Sequence, residues 1–505
     1  MTSGSVEAAA RLTVGDLFEE QVALRPHAPA VQSPQGDWTY AQLGDQVLRL
    51  AGWLQAQGVR RGDRVAILSE NRREFALTLL AAARVGAIVA CMNWRQEPAE
   101  LSHCIALVTP RLALVSPRHA RHRSLFGDIP VMPLGEPFDA ALAAAQPPAA
   151  AAPVEPEDGL YILYTSGTTG KPKAALISHR ALLARSAVAA MDGGARRGST
   201  FIAWPPMFHM ASADNVLVTL VGGGKVVVMD GLQVEALCDA GEREDNVGWF
   251  VLMPGMIDKV LDEYRRRGTR PQPVDSVGCM ADLVPRPQIA EVTRLFGGPF
   301  RNTFGSTETG PAPGSGGRVP VGVVPTDLAK NQSALCRVRL VDEEGEDVAP
   351  GQPGELLLRG PTLFSGYWGM PEATAEAFAG GWFHTGDVFT RQADGRLQFV
   401  DRRKYLIKSG GENIYPAEIE QLLLASPRIA DAAVVRRPDA RWGEVPVAFV
   451  AARDASLTAD EVLALCRGQI AGYKLPREVR FIADQDLPRS TTGKIVRAEL
   501  EALLR

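Results

Sequence analysis

Apolar positions along this chain alternate between a strand rhythm and a helix rhythm. Residues 62–68 read as a glycine turn into a buried strand, 74–85 carry helical spacing, and 86–91 read as the next strand. Strand patterns recur at 160–163, 225–229, 247–252, 276–280 and 300–304, with helical patterns at 180–191, 232–240, 255–267 and 286–296. Strands that alternate with helices predict an α/β fold of mostly parallel, helix-covered sheets. In such sheets ligands sit beyond the carboxyl ends of the strands.

From about residue 337 the rhythm changes. Short strand patterns at 337–341, 355–358 and 396–400 are parted by Gly, Pro and Asp turns, which predicts a β-rich subdomain over about 320–400. Beyond Asp401 a helix (417–424), two strands (430–435 and 445–450) and a further helix follow, the last opened by a capping box of Thr458 and Glu461. The expected organisation is a large N-terminal domain, 1–400, that includes the β-rich subdomain, and a small, mobile α+β C-terminal domain, 401–505. The boundary is expected at 401–404, and residues 146–158 have linker composition.

Composition narrows the function classes. At 505 residues the chain exceeds one ordinary core, and its 46% hydrophobic and 22% charged content is that of a globular protein. A net charge of −4 supplies no basic field for nucleic acid or an acidic membrane surface. The run Arg265-Arg-Arg267 reads as the solvated end of a helix. Cys91, Cys104, Cys238, Cys279, Cys336 and Cys466 form no C-x-x-C pair, and the histidines have no metal-ligand spacing. Scattered cysteines, no long apolar run and no signal-peptide core predict a cytoplasmic protein without a membrane span.

The densest chemistry lies at Tyr164-Thr-Ser-Gly-Thr-Thr-Gly-Lys-Pro-Lys173, directly after the apolar run 160–163. A strand that empties into hydroxyls, glycines and lysines offers backbone N–H groups, side-chain donors and positive charge to one anion, and polyphosphate fits best. The loop is not a Walker P-loop. Only Thr168 and Thr169 separate Gly167 from Gly170, and Pro172, which lacks an N–H, follows Lys171.

Further stretches carry more polar detail than a fold requires. Phe300-Arg-Asn-Thr-Phe-Gly-Ser-Thr-Glu308 ends in a carboxylate. Alone, such a Glu is a solvated surface group; beside a polyphosphate loop, a hard oxygen ligand for Mg²⁺ is needed. Trp382-Phe-His-Thr-Gly-Asp387 places an acid where nucleotide folds bind ribose hydroxyls. Asp401-Arg-Arg-Lys404 supplies basic groups at the expected boundary, Ser409-Gly-Gly-Glu-Asn-Ile-Tyr-Pro416 is a tight glycine turn, and Ser490-Thr-Thr-Gly-Lys494 sets a lysine after another.

Together these stretches resemble the AMP-forming acyl-CoA synthetase family, part of the adenylate-forming superfamily that also contains luciferases and peptide-synthetase adenylation domains. The likeness runs from about residue 13 to the C-terminus, with the motifs in family order. It implies an ATP-dependent carboxylic acid:CoA ligase that makes acyl-AMP and pyrophosphate, then acyl-CoA and AMP. ATP, Mg²⁺, CoA as co-substrate and a small-molecule carboxylic acid are the implied ligands, in a monomer or homodimer.

By this resemblance Thr165, Ser166, Gly167, Thr168, Thr169, Gly170 and Lys173 hold phosphates. Phe304, Gly305, Ser306 and Thr307 line the nucleotide, Glu308 holds Mg²⁺, and Asp387 binds the ribose with Arg402 nearby. Lys494 reaches the α-phosphate and the substrate carboxylate. His209 matches a gate beside the acyl pocket, which Gly278, Cys279 and Met280 border. Asp214 either reaches that pocket or caps a helix. Lys404 matches the hinge, where rotation withdraws Lys494 and brings Lys408, Gly410 and Gly411 to the CoA tunnel.

Three positions depart from the family pattern. Ala174 stands for the usual Gly, Phe304 for the common Tyr, and Gly278-Cys-Met-Ala-Asp282 for a run of smaller residues. Met280 narrows the pocket, which argues against very long straight chains. Two other functions stay in view. A stand-alone enzyme loading a carrier-protein thiol is one, although no carrier-domain sequence follows Lys494. A non-catalytic nucleotide binder is the other, and it would need neither Glu308 nor Lys494.

Overall fold

Eleven strands of the N-terminal region show how the predicted alternation is used. The computed structural model describes residues 8–148, 152–165, 171–193, 196–489 and 495–504. The first strands are β1 (Pro29–Gln32), β2 (Trp38–Thr39), β3 (Arg64–Leu68), β4 (Ile88–Cys91), β5 (Leu112–Val115) and β6 (Val131–Pro133). They are followed by β7 (Gly159–Thr165), β8 (Lys173–Ser178), β9 (Thr200–Ala203), β10 (Lys225–Val228) and β11 (Val247–Trp249). Two sheets result, in the orders β6-β5-β3-β4-β7-β8 and β11-β9-β10-β1-β2. Pairing is parallel except at β8, which turns back on β7, and at β2.

The helices that connect these strands explain the continuous apolar runs. Helix Arg73–Val85 buries residues from Glu74 to Ala83 and Val85, so it is covered nearly all round. Strands β4 and β5 are buried at every residue, as parallel strands covered on both faces are.

Two expected strands are altered. Residues 276–280 contribute only a bridge at Val277, between Phe250 and Phe300. Gly278 (φ 70°) and Met280 (φ 55°) adopt left-handed backbone that a ladder cannot continue. The segment 300–304 splits at Asn302 into β12 (Phe300–Arg301) and β13 (Phe304–Ser306). These pair with β15 (Arg318–Val319) and β14 (Gly310–Gly314) respectively.

The chain packs as two units, Met1–Arg337 with Arg359–Phe383, and Val338–Leu358 with His384–Arg505. In the second, β16 (Arg337–Val341), β17 (Gly354–Arg359), β18 (Phe383–Arg391) and β19 (Leu397–Arg402) form a sheet in sequence order. Packing therefore groups residues 338–358 and 384–400 of the β-rich stretch with the C-terminal residues and leaves the rest of it in the first unit. A second sheet contains β20 (Ile407–Ser409), β21 (Glu412–Ile414), β22 (Ile429–Asp439), β23 (Gly443–Ala452) and β24 (Glu478–Phe481). Its core is Ile407, Ile414, Ile419, Leu423, Val434, Val450 and their neighbours. The predicted Thr458–Glu461 capping box is present. Among the described residues no helix is long and apolar enough to cross a membrane.

Candidate active site

The hairpin β7–β8 flanks the predicted phosphate loop. Its last rung pairs Thr165 with Lys173, and Ser166, Gly167, Thr168, Thr169 and Gly170 between them lie outside the described residues. A second segment runs along β8. The Leu176 N–H donates to Gly366 O (3.0 Å), the Ser365 N–H to Leu176 O (2.8 Å) and the Trp368 N–H to Ala174 O (2.8 Å). This register brings Tyr367 opposite Ala175, near the Thr165–Lys173 end of the hairpin.

There Tyr367 joins two predicted site residues. Its hydroxyl donates to Glu308 Oε1 at 3.1 Å, and Lys173 Nζ lies 4.8 Å from its ring centroid. Burial, reinforced by Glu308, pushes the Tyr367 phenol upward, so it stays a protonated donor. The Glu308 carbonyl accepts the Phe364 N–H at 2.8 Å. The turn Ser306–Thr309 is braced by the Thr309 hydroxyl, which accepts from the Ser306 N–H (2.9 Å) and donates to Ala312 O (2.6 Å). Phe304 and Gly305 precede it in β13.

Thr307 is held from its backbone. Its carbonyl accepts from Arg185 Nη2 at 2.9 Å, and Arg185 also binds Asp214. Asp214 is therefore not the N-cap of helix Met210–Val221; it sits inside that helix, buried, and the cap position belongs to His209. His209 is half-buried, with its ring 4.7 Å from that of Phe208.

The segment 278–282, which includes the expected border of the acyl pocket, is held by its own set of contacts. Trp249 Nε1 donates to Gly278 O at 2.9 Å, and the buried Cys279 thiol faces Leu252 O at 3.4 Å. Met280 is partly exposed. Lys330, fully buried, donates to Asp282 Oδ2 (2.7 Å), Asn302 Oδ1 (3.0 Å) and Leu328 O (2.9 Å). It links Asp282 to Asn302 within the 300–308 stretch.

The second unit holds the remaining described candidates. Asp387 and Arg402 oppose each other across β18–β19, with Arg402 Nε 3.1 Å from Asp387 Oδ1. Lys404 is exposed in the short turn Arg403–Tyr405, which leads from β19 into β20. The hairpin β20–β21 turns through Gly410 (φ 60°) and Gly411 (φ 88°), the backbone of a tight two-residue turn. Lys408, also exposed, pairs with Glu343 at 3.0 Å. Lys494 lies outside the described residues.

Sequence reasoning did not find Tyr367, Arg185 or Lys330. The three act on residues distant in sequence.

A model of the AMP-binding enzyme family matches residues 18–368, and one of the AMP-binding enzyme C-terminal domain matches 418–494. The chain belongs to the AMP-binding enzyme family. Within it the chain is an AMP-forming synthetase of the adenylate-forming superfamily, with relatives along its whole length. It is 35% identical to an indoleacetate–CoA ligase of Aromatoleum aromaticum, covering 98% of each chain. It is 37% identical to a feruloyl-CoA synthase of an Amycolatopsis species, covering 94% of this chain and 96% of that one. The solved o-succinylbenzoate CoA synthetase of Bacillus subtilis, in complex with its acyl-adenylate intermediate, superposes with a TM-score of 0.83. It is 25% identical, covering 96% of this chain and 97% of that one.

Proposed function

We propose that this synthetase activates a carboxylic acid with ATP and transfers the acyl group to CoA. A carboxylate is a poor acyl donor because its oxygen leaves badly. Attack of that oxygen on the α-phosphorus of ATP forms the acyl-AMP mixed anhydride and expels pyrophosphate. The CoA sulfur then attacks the acyl carbon, and AMP departs as the leaving group while the thiol proton is released. The observation that carries this reading is the cluster at the end of β7–β8, where Lys173, Tyr367 and Glu308 gather beside the phosphate-loop sequence.

The attacking carboxylate is already ionised, so the protein's task is positioning and charge neutralisation. Thr165, Lys173 and Thr307 contact phosphates, and Asp387 with Arg402 takes the ribose. Lys494 neutralises the α-phosphate and the acid. His209, Gly278, Cys279 and Met280 border the acyl group, and Lys408, Gly410 and Gly411 meet CoA after rotation at a hinge near Lys404.

Glu308 fits a Mg²⁺ site. One oxygen takes the Tyr367 hydroxyl, and no lysine or arginine pairs with the carboxylate among the described residues. Mg²⁺ is held by one or two carboxylates together with substrate phosphates, so a single acid suffices. When bound, the ion supplies charge neutralisation at the phosphates.

The acids named in the relatives described above all carry an aromatic ring, which supports an aryl or arylalkanoic acid as substrate. A partly exposed Met280 at the wall fits a flat, polarizable group better than a long straight chain. All six cysteines are free thiols, which fits the reducing cytoplasm as the place of action. The test is a panel of aromatic and aliphatic acids incubated with ATP, Mg²⁺ and CoA, read by chromatography of AMP and thioester. Equimolar AMP and acyl-CoA from aromatic acids is expected. Turnover confined to long alkanoic acids would overturn the substrate class.

A further inference from the structure

Arg185 is the feature of this molecule that its neighbours least require for packing alone. It lies on helix His179–Met191 at 2% exposure, among the largest fully buried side chains. A buried guanidinium is tolerated only when its charge and its donors are matched. Here every arm of the fork has a partner. Nη1 donates to Asp214 Oδ2 (2.9 Å), Nη2 to Thr307 O (2.9 Å) and Nε to Thr362 O (3.0 Å). The other Asp214 oxygen accepts the Tyr161 hydroxyl at 2.5 Å, which aims the carboxylate from β7.

The two carbonyls belong to the two strips of backbone that meet at the site. Thr307 directly precedes Glu308, and Thr362 opens the strip that carries Tyr367 to Glu308. Arg185 also packs on the turn itself, since a methyl group on Gly310 would collide with the guanidinium. We propose that Arg185 is a positioning residue for adenylation: its fork fixes the Thr307–Glu308 turn and the Tyr367 strip relative to each other, with Asp214 and Tyr161 locking the fork.

This inference rests on the functional reading above, because it matters only if Thr307 and Glu308 serve the nucleotide. It separates the roles of charge and fork. Lysine at this position keeps the ion pair with Asp214 but cannot hold both carbonyls in a plane. Arg185→Lys therefore retains the fold while losing the placement.

The experiment compares wild type, Arg185→Lys, Arg185→Met and Asp214→Asn by calorimetric ATP binding with and without Mg²⁺, thermal unfolding, and acid-dependent ATP–pyrophosphate exchange. Expected for Arg185→Lys is a melting temperature close to wild type, ATP affinity and exchange kcat/KM reduced by about 10–100-fold, and an acid KM within about twofold. Where Arg185→Met does not fold, Arg185→Lys and Asp214→Asn decide. Wild-type ATP affinity in a folded Arg185→Lys, or a parallel rise in the acid KM, overturns the proposal. A wild-type enzyme that binds ATP but shows no exchange with any acid removes the functional reading instead, and ATP affinity in Arg185→Lys still decides the role of the fork. A wild-type chain that binds no ATP removes both.

Discussion

Substituting Lys330 by methionine removes one ammonium group and little volume. Lys330 is fully buried, and its three acceptors are Asp282 Oδ2, Asn302 Oδ1 and Leu328 O. Asp282 is itself about nine-tenths buried, and its Oδ1 has no hydrogen-bond partner. Lys330→Met therefore strands a carboxylate inside the protein. Breaking a buried pair from one side costs about 3–5 kcal/mol. The two neutral acceptors add about 1 kcal/mol each where no water reaches them, and the methionine side chain offsets part of that through apolar contact. The net expectation is a loss of ~4 kcal/mol.

Urea unfolding followed by tryptophan fluorescence measures this on the first transition, since two packed units need not unfold together. The double variant Lys330→Met with Asp282→Asn carries no charge at this pair and should recover ~2 kcal/mol of the loss, a coupling that a double-mutant cycle isolates. A single variant within about 1 kcal/mol of wild type, or a double variant no more stable than Lys330→Met, refutes the account of Lys330 as the charge partner of Asp282.

Three further perturbations address the site and the fold. Lys494→Ala should slow acyl-AMP formation by ~10²–10³-fold while conversion of a supplied acyl-adenylate to thioester persists, as measured by single-turnover kinetics. Tyr367→Phe removes the hydroxyl that orients Glu308 and keeps the ring beneath Lys173; a magnesium titration of pyrophosphate exchange should show up to about a tenfold higher requirement, the effect of roughly 1.4 kcal/mol. His179, whose Nδ1 accepts the Val14 N–H at 3.2 Å, is held by burial below its ordinary 6.5, at about 4. A histidine kept neutral in the fold contributes stability that is present above its unfolded pKa and lost as pH falls from about 6.5 toward 4. His179→Asn, which keeps an acceptor for Val14, should flatten the stability profile over that interval in chemical unfolding at stepped pH.

The sequence made visible those features that depend on neighbours in the chain. The buried strand Arg64–Leu68, the helix Arg73–Val85 and the capping box at Thr458 each follow from residues within one or two turns of each other. The strand expected at 276–280 is absent because left-handed backbone at Gly278 and Met280 leaves no trace in an apolar pattern. Helix Met210–Val221 carried a signal in the spacing of Ala213, Val216, Leu217 and Leu220, and reading it would have placed Asp214 inside the helix. Long-range pairs carried none. Tyr367 and Glu308 are 59 residues apart, Lys330 and Asn302 28, and Arg185 and Asp214 29. Each pair meets for a reason that only the fold supplies.

The most direct measurement is incorporation of labelled pyrophosphate into ATP, with Mg²⁺ and a carboxylic acid but no CoA. Reversible acyl-AMP formation predicts exchange that depends strictly on the acid, with AMP accumulating once CoA is added. Exchange without acid, or consumption of ATP to ADP and phosphate in its place, would contradict adenylation as the chemistry of this enzyme.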